Sequence, residues 1–214
     1  MKNNFLFSGF FRFFARVYDL MLLNILFLLC CLPIVTIGAS ASALYSVCLK
    51  LVRNEETYVA KDFFHAFQQN LKPGIILHLI LSVATAIIIF DLFVMWNIME
   101  YAILYKWAFI IMVIFSALFF MTGIYVYPLL AQFNNTVKGY LRAAFGLALK
   151  HFAYTIMFLL LTAAPIAAAL LIPGALEWEI LIYLLFGFSG TAYVHSVFFS
   201  TIFNNYISNE SNSN

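Results

Sequence analysis

Residues 30–45, CCLPIVTIGASASALY, decide how this chain is built. They lie inside Val17–Leu49, a stretch whose single charge is Asp19. It can be read as a membrane hairpin, as a re-entrant loop, or as one broken span. Local chemistry marks a break. Pro33 lacks an N–H and disfavours helix at Leu32. Ile34-Val35-Thr36-Ile37 is β-branched, and Gly38 is permissive. A helix is therefore expected to stop near Leu32 and another to start near Ala39 or Ser40, with Ser40 as its cap.

Charge placement favours doubling back. Lysine and arginine gather on the cytoplasmic side of membrane proteins. If Val17–Val52 enters and leaves on one face, Lys2, Arg12, Arg16, Lys50, Arg53, Lys61, Lys72, Lys138, Arg142 and Lys150 all share it, and only Lys106 lies opposite. A single crossing puts Lys2, Arg12 and Arg16 on the side away from the seven bases at 50–72 and 138–150. Arg12 and Arg16, the apolar Leu20–Leu32 and Ala39-Ser40-Ala41-Ser42-Ala43 also resemble a signal peptide. Cleavage there leaves most bases on the wrong side, so that reading is set aside.

Composition fixes the class. The chain has 214 residues, 65% hydrophobic and 9% charged, where a soluble domain carries about 25% charged residues. So few charges cannot cover a surface in water. The net charge of +2 gives no footprint for nucleic acid. Apolar runs at Gly74–Val94, Trp107–Leu130, Phe152–Ile172 and Ile180–Phe203 are each long enough to span as helices. Pro173-Gly174 reads as a tight turn beside an interfacial Trp178. The expectation is an all-α polytopic membrane protein: about six helical passes in three hairpins, one domain over 1–214, both termini cytoplasmic. Within it, 5–53 forms a broken N-terminal hairpin and 207–214 a disordered polar tail.

Two segments look alike. Phe63-x-x-Ala66-Phe67-x-x-x-Leu71-Lys72 matches Leu141-x-x-Ala144-Phe145-x-x-x-Leu149-Lys150. Downstream, Tyr125-Val126-Tyr127-Pro128 matches Tyr193-Val194-His195-Ser196, and each copy exits through Phe-Asn-Asn. Two parallel repeats follow, 61–135 and 138–205, in units bounded at 56–135 and 136–206. Each is an amphipathic helix, a span, a turn and a span. The amphipathic pieces suit the inner interface, aromatic face in lipid. Their polar face, Lys61, His65, Gln69, Lys138 and Arg142, is the candidate surface for a partner.

The run Tyr18-Asp19-Leu20-Met21-Leu22-Leu23-Asn24, then Cys31-Leu32-Pro33-Ile34-Val35-Thr36-Ile37-Gly38, Ala43-Leu44-Tyr45, Lys50-Leu51-Val52-Arg53-Asn54-Glu55-Glu56 and Phe63-Phe64-x-Ala66-Phe67-x-Gln69-Asn70 resembles the YesL-like family. The resemblance is specific over roughly residues 18–80 and a matter of pattern elsewhere. The chain departs from it at Ala39 and Asn54, where the family pattern has Pro and Asp. The resemblance implies a bacterial inner-membrane protein without established activity. It implies an association with carbohydrate ABC transport, the partners being permease or ATPase subunits, and carries no catalytic residues.

The residues themselves point to little chemistry. An ionisable group within the membrane is a functional pointer, so Asp91, His78 and His195 are candidates for a polar intramembrane site, with Asn24 beside them. Helix-to-helix hydrogen bonds are the plainer role for such side chains. The three cysteines form no disulfide framework. No metal-ligand spacing, phosphate loop or nucleophile motif is present. A non-enzymatic protein without cofactor, acting as an accessory or regulatory component in the lipid bilayer, is expected. The alternative is a small transporter with a substrate path between the repeats, near Asp91 and His78.

Overall fold

The structure is a computed structural model. It describes the backbone of residues 3–98 and 103–211 and the side chains of 13–98 and 103–203. Most of the described residues are helical, and six stretches are long and apolar enough to cross a membrane. The chain is therefore a multi-pass helical membrane protein.

Helix α1 (Asn3–Cys31) stops one residue ahead of Leu32-Pro33, as the proline dictates. A 3₁₀ turn (Ile34–Thr36) leads straight into α2 (Ile37–Val52). Thr36, not Ser40, holds the N-cap position of α2. The Thr36 hydroxyl donates to Cys30 O and Pro33 O, both at 2.7 Å, and so bonds the turn to itself. Ser40 lies inside α2, fully buried. The helix begins earlier than its β-branched residues suggest because the 3₁₀ turn already supplies its first carbonyl acceptors.

At the other end of α2, Asn54 takes a left-handed conformation with φ +55°. Asn54 N–H donates to Leu51 O and Glu55 N–H to Lys50 O, the double closure of a Schellman motif. The Asn54 side chain accepts from Arg16 Nη2 at 2.9 Å, fastening the end of α2 to α1. Residues 16 and 54 meet, so the chain doubles back and does not continue as one broken span.

Helix α3 (Val59–Gln69) runs antiparallel to α2. Val59, Phe63 and Ala66 are its buried face, packed among Leu23, Val47 and Leu51, so the apolar side expected in lipid turns inward because α1 and α2 offer it an apolar surface. Lys50 bonds Asp62 at 3.1 Å at one end of this pair, and Asn70 donates to Ser42 at 2.8 Å at the other. Helix α4 (Leu71–Ile98) follows after the single residue Asn70. The tip of the α1–α2 hairpin packs on its first two turns. A Cβ on Gly38 would press on Gly74 O and lie 2.8 Å from His78 Cβ. Only glycine permits this approach of two backbones. About 30 Å of α4 lie beyond His78, at 1.5 Å per residue.

Helix α5 (Ile103–Gln132) returns beside α4, with Trp96 against Phe109. Pro128 lies within α5 without ending it. Thr136 caps α6 (Val137–Lys150) by accepting from Gly139 N–H. Tyr140 closes the α5–α6 loop, donating to Phe133 O and accepting from Asn135 N–H. Helix α7 (Phe152–Leu171) carries Pro165 and ends at the expected turn, where Gly174 has φ +81°. The last pass is broken: α8 (Ala175–Ile182), a π-helical segment (Tyr183–Gly187), then α9 (Phe188–Ser211). The order short helix, long helix, long pass thus occurs twice, from α3 and from α6. Residues 207–211, assigned by sequence to a polar tail, continue α9; 212–214 lie outside the described residues.

The buried side chains form two clusters, one where α5, α6, α7 and α9 meet and one between α1, α2 and α3. Phe199 packs on Phe158 (centroids 4.7 Å) and Tyr125 (5.3 Å), and Phe203 on Phe133 (5.2 Å). Such ring pairs add about 0.5–1.5 kcal/mol each beyond simple contact. The far halves of α4 and α5 have almost no buried residue. The bundle is tight at one end and splayed at the other.

Candidate functional site

The splay leaves a cleft of about 680 Å³ between α1, α2, α5, α7, α8 and α9. Pro165, Ile166 and Ala169 of α7 form one wall, and Phe27, Tyr183 and Phe188 an aromatic one. One end reaches Leu170, 82% exposed, near the α7–α8 turn; the other holds His195, 5% exposed.

His195 is the buried polar group here. Its Nδ1 lies 3.2 Å from Tyr45 Oη. Its ring packs on Phe158 with centroids 4.8 Å apart. Its Nε2 is buried without a hydrogen-bond partner. A second pair of the same kind adjoins it: His78 Nδ1 lies 3.1 Å from Tyr127 Oη, and Tyr127 lines the cleft. Thr162 and Thr191 also line it, each donating its hydroxyl within its own helix. Glu179 is the one charged residue in the lining.

Asn24 has a different role. It is fully buried on α1. Its Nδ2 donates to Tyr183 O (3.0 Å) and Leu184 O (2.9 Å), and its Oδ1 accepts from Ser189 N–H (3.1 Å). A π-helical turn releases backbone groups from the regular ladder, and one asparagine side chain satisfies three of them. The Ser189 hydroxyl answers by donating to Leu20 O at 2.7 Å. This exchange locks α1 to the break in the last pass and places Tyr183 and Phe188 along the cleft wall.

The candidates from sequence thus separate. His195 lines the cleft, His78 supports it through Tyr127, and Asn24 holds its wall. Asp91 lies roughly 20 Å from His78 along α4 and does not line it. Lys61, His65 and Gln69 on α3, and Lys138 and Arg142 on α6, are all exposed. Gln69 reaches a small crevice with Gln132 and Asn134, which brings the ends of α3 and α5 together. His151, at the α6–α7 corner, has its pKa lowered by burial and by the neighbouring Lys150 charge. Among the described residues, no group of three or more His, Cys, Asp or Glu is placed to hold a metal ion.

Sequence reading missed Tyr45, Tyr127 and the π-helical break. A signal for the tyrosine was present, since the repeat alignment sets Tyr127 opposite His195. Both line the cleft, and each completes a Tyr–His pair. The break had no such signal. Its segment, Tyr183-Leu184-Leu185-Phe186-Gly187, is as apolar as any regular span, and its partner Asn24 is far away in sequence.

No curated protein matches the chain, and no solved structure does. Residues 20–92, which take in the second part of α1, all of α2 and α3 and most of α4, match the family model described as "Protein of unknown function, DUF624".

Proposed function

We propose that the chain is a non-enzymatic accessory or regulatory component of the bacterial inner membrane, with both termini cytoplasmic. The class of system it serves, carbohydrate ABC transport, comes from the resemblance of residues 18–80 to the YesL-like family. The observation that carries the accessory role is the bare α4–α5 hairpin. Val83, Ile87, Phe90 and Phe93 on α4, and Ile111, Ile114 and Phe115 on α5, are exposed. Among the described residues nothing covers these apolar faces, so they are open to lipid or to another membrane protein. Exposed Lys61, His65, Gln69, Lys138 and Arg142 add a polar face for a permease or ATPase subunit. Most polar groups in the spans are already used within the fold, as in Ser116 to Val113 O, Thr122 to Leu118 O and Tyr125 to Thr155. That use fits a scaffold better than a catalyst.

Co-purification in mild detergent tests this reading. Recovery of a permease or ATPase subunit, lost on combined substitution of Lys138 and Arg142 by Glu, is expected. Absence of any transport subunit, with sugar uptake by liposomes holding this protein alone, overturns it. The cleft favours a second reading, a small transporter. Its path between the repeats would pass His195 and Tyr127, with Asp91 off the route.

A further inference from the structure

We propose that the groove between α1 and the α2–α3 loop holds the headgroup of an aminophospholipid from the adjoining leaflet, its phosphate on Arg16 and its ammonium on Asp19 and Glu55. This goes beyond the accessory role and does not depend on it.

The groove has a volume of about 610 Å³. Arg16 and Asp19 of α1, Asn54, Glu55 and Thr57 between α2 and α3, and Tyr193 of α9 line it. Its charges are poorly matched within the fold. Arg16 bonds the neutral Asn54 amide, which leaves most of its N–H donors unused. Asp19, one turn further along the same face of α1, makes no hydrogen bond or ion pair among the described residues. The Glu55 carboxylate has one loose contact, 3.8 Å to Arg53. Two acids and a base thus border one space with bonding capacity left over.

Charge selects the head. Asp19 and Glu55 disfavour a purely anionic group, and Arg16 disfavours a bare cation. A head carrying both signs satisfies all three. A primary ammonium brings three N–H donors to the carboxylates, whereas a trimethylammonium brings none, so phosphoethanolamine fits better than phosphocholine. Depth makes the occupant a lipid. Arg16 and Asp19 lie in the first turns of the span that starts at Phe13. Tyr18 and Tyr58, next in the chain to the lining residues Asp19 and Thr57, are exposed, as interfacial tyrosines are. Beyond Asp19, α1 exposes Ile25 and Leu29, about 9 and 15 Å further along the helix, an apolar track for an acyl chain. At about 30 Å³ per water-sized group, the groove has room for the head, its glycerol and several waters.

The test is native mass spectrometry of the full-length protein in mild detergent, titrated with phosphatidylethanolamine, phosphatidylcholine and phosphatidylglycerol of matched chains. Retention of one phosphatidylethanolamine, at a concentration at least fivefold below either comparator, is expected. Asp19→Asn combined with Glu55→Gln keeps both shapes, removes only the loose Arg53 contact, and is expected to erase that preference. Arg16→Gln, which keeps a donor for Asn54, is expected to weaken retention about tenfold, the loss of one charge-assisted hydrogen bond. Asp91→Asn, an acid outside the groove, should change neither. Equal retention of the three lipids means ordinary bilayer lipid and overturns the proposal. So does a preference that survives the paired acid substitutions, a result readable even if the Arg16 variant fails to fold. Displacement by an equal concentration of free glycerophosphoethanolamine means that a soluble head suffices, and overturns the assignment to a lipid.

Discussion

Asn24 and Gly38 are each required by one geometric fact. Asn24 bonds two carbonyls and one N–H of the broken last pass. Asn24→Leu keeps the volume and leaves all three unpaired in a buried place. Each unmet group costs about 1–3 kcal/mol, so this variant is expected to melt well below the parent in detergent. Thr162→Val, which loses a hydroxyl bonded only within its own helix, is the control and should change little. Equal melting of the two contradicts a role for Asn24 in holding the π-helical segment. At Gly38, a methyl group has no room against Gly74 and His78. Gly38→Ala should destabilise by about 1–3 kcal/mol through overpacking. The same change at Gly123, where nothing lies within 4 Å, should be neutral or gain up to about 1 kcal/mol from helix propensity. Thermal unfolding of both variants reads the difference.

At the scale of elements, α2 and α3 behave as one antiparallel pair. Asp62 joins the pair and fixes the start of α3. One oxygen takes Lys50 Nζ, and the other accepts from Tyr58 N–H at the start of α3. The ion pair is partly exposed, with side chains 39% and 21% accessible, so it contributes at most about 1 kcal/mol. The contact at the helix start adds about 1 kcal/mol. Asp62→Ala should therefore speed hydrogen exchange across Val59–Gln69 several-fold and leave α7 unchanged. Exchange in α3 equal to that of the parent contradicts this tie. Much of this level was legible in the sequence. Pro33 marks the end of α1, the spacing of Val59, Phe63 and Phe67 marks the apolar side of α3 but not that it packs on α1 and α2 rather than in lipid, and Pro173-Gly174 marks the last turn. The cap was not legible, because Thr36 and Ser40 are chemically alike and only the 3₁₀ turn chooses between them. The cleft was half legible. His195 stood out as an ionisable group in a span, but its partner Tyr45 is an ordinary aromatic until the fold brings it alongside.

For the whole molecule, the decisive feature is that α1 and α2 return together, with Arg16 bonded to Asn54. Gly38, next to the hairpin tip, meets the first two turns of α4. The pairing of α2 with α3 also links their depths, since α3 exposes Lys61, His65, Gln68 and Gln69, which cannot face hydrocarbon. Both facts place the tip shallower than the far end of the α4–α5 hairpin. Charge patterning could reveal the return of the chain, because a hairpin and a re-entrant loop leave the basic residues on the same side. It could not reveal the depth, which depends on Gly38 meeting Gly74. A cysteine-free parent carrying single cysteines at residues 3, 34, 57 and 106, probed in sealed vesicles with a membrane-impermeant thiol reagent, measures both. Labelling of Asn3→Cys and Thr57→Cys from one side, Lys106→Cys from the other, and Ile34→Cys from neither is the predicted result. Labelling of Asn3→Cys and Thr57→Cys from opposite sides would contradict a chain that turns back at Pro33.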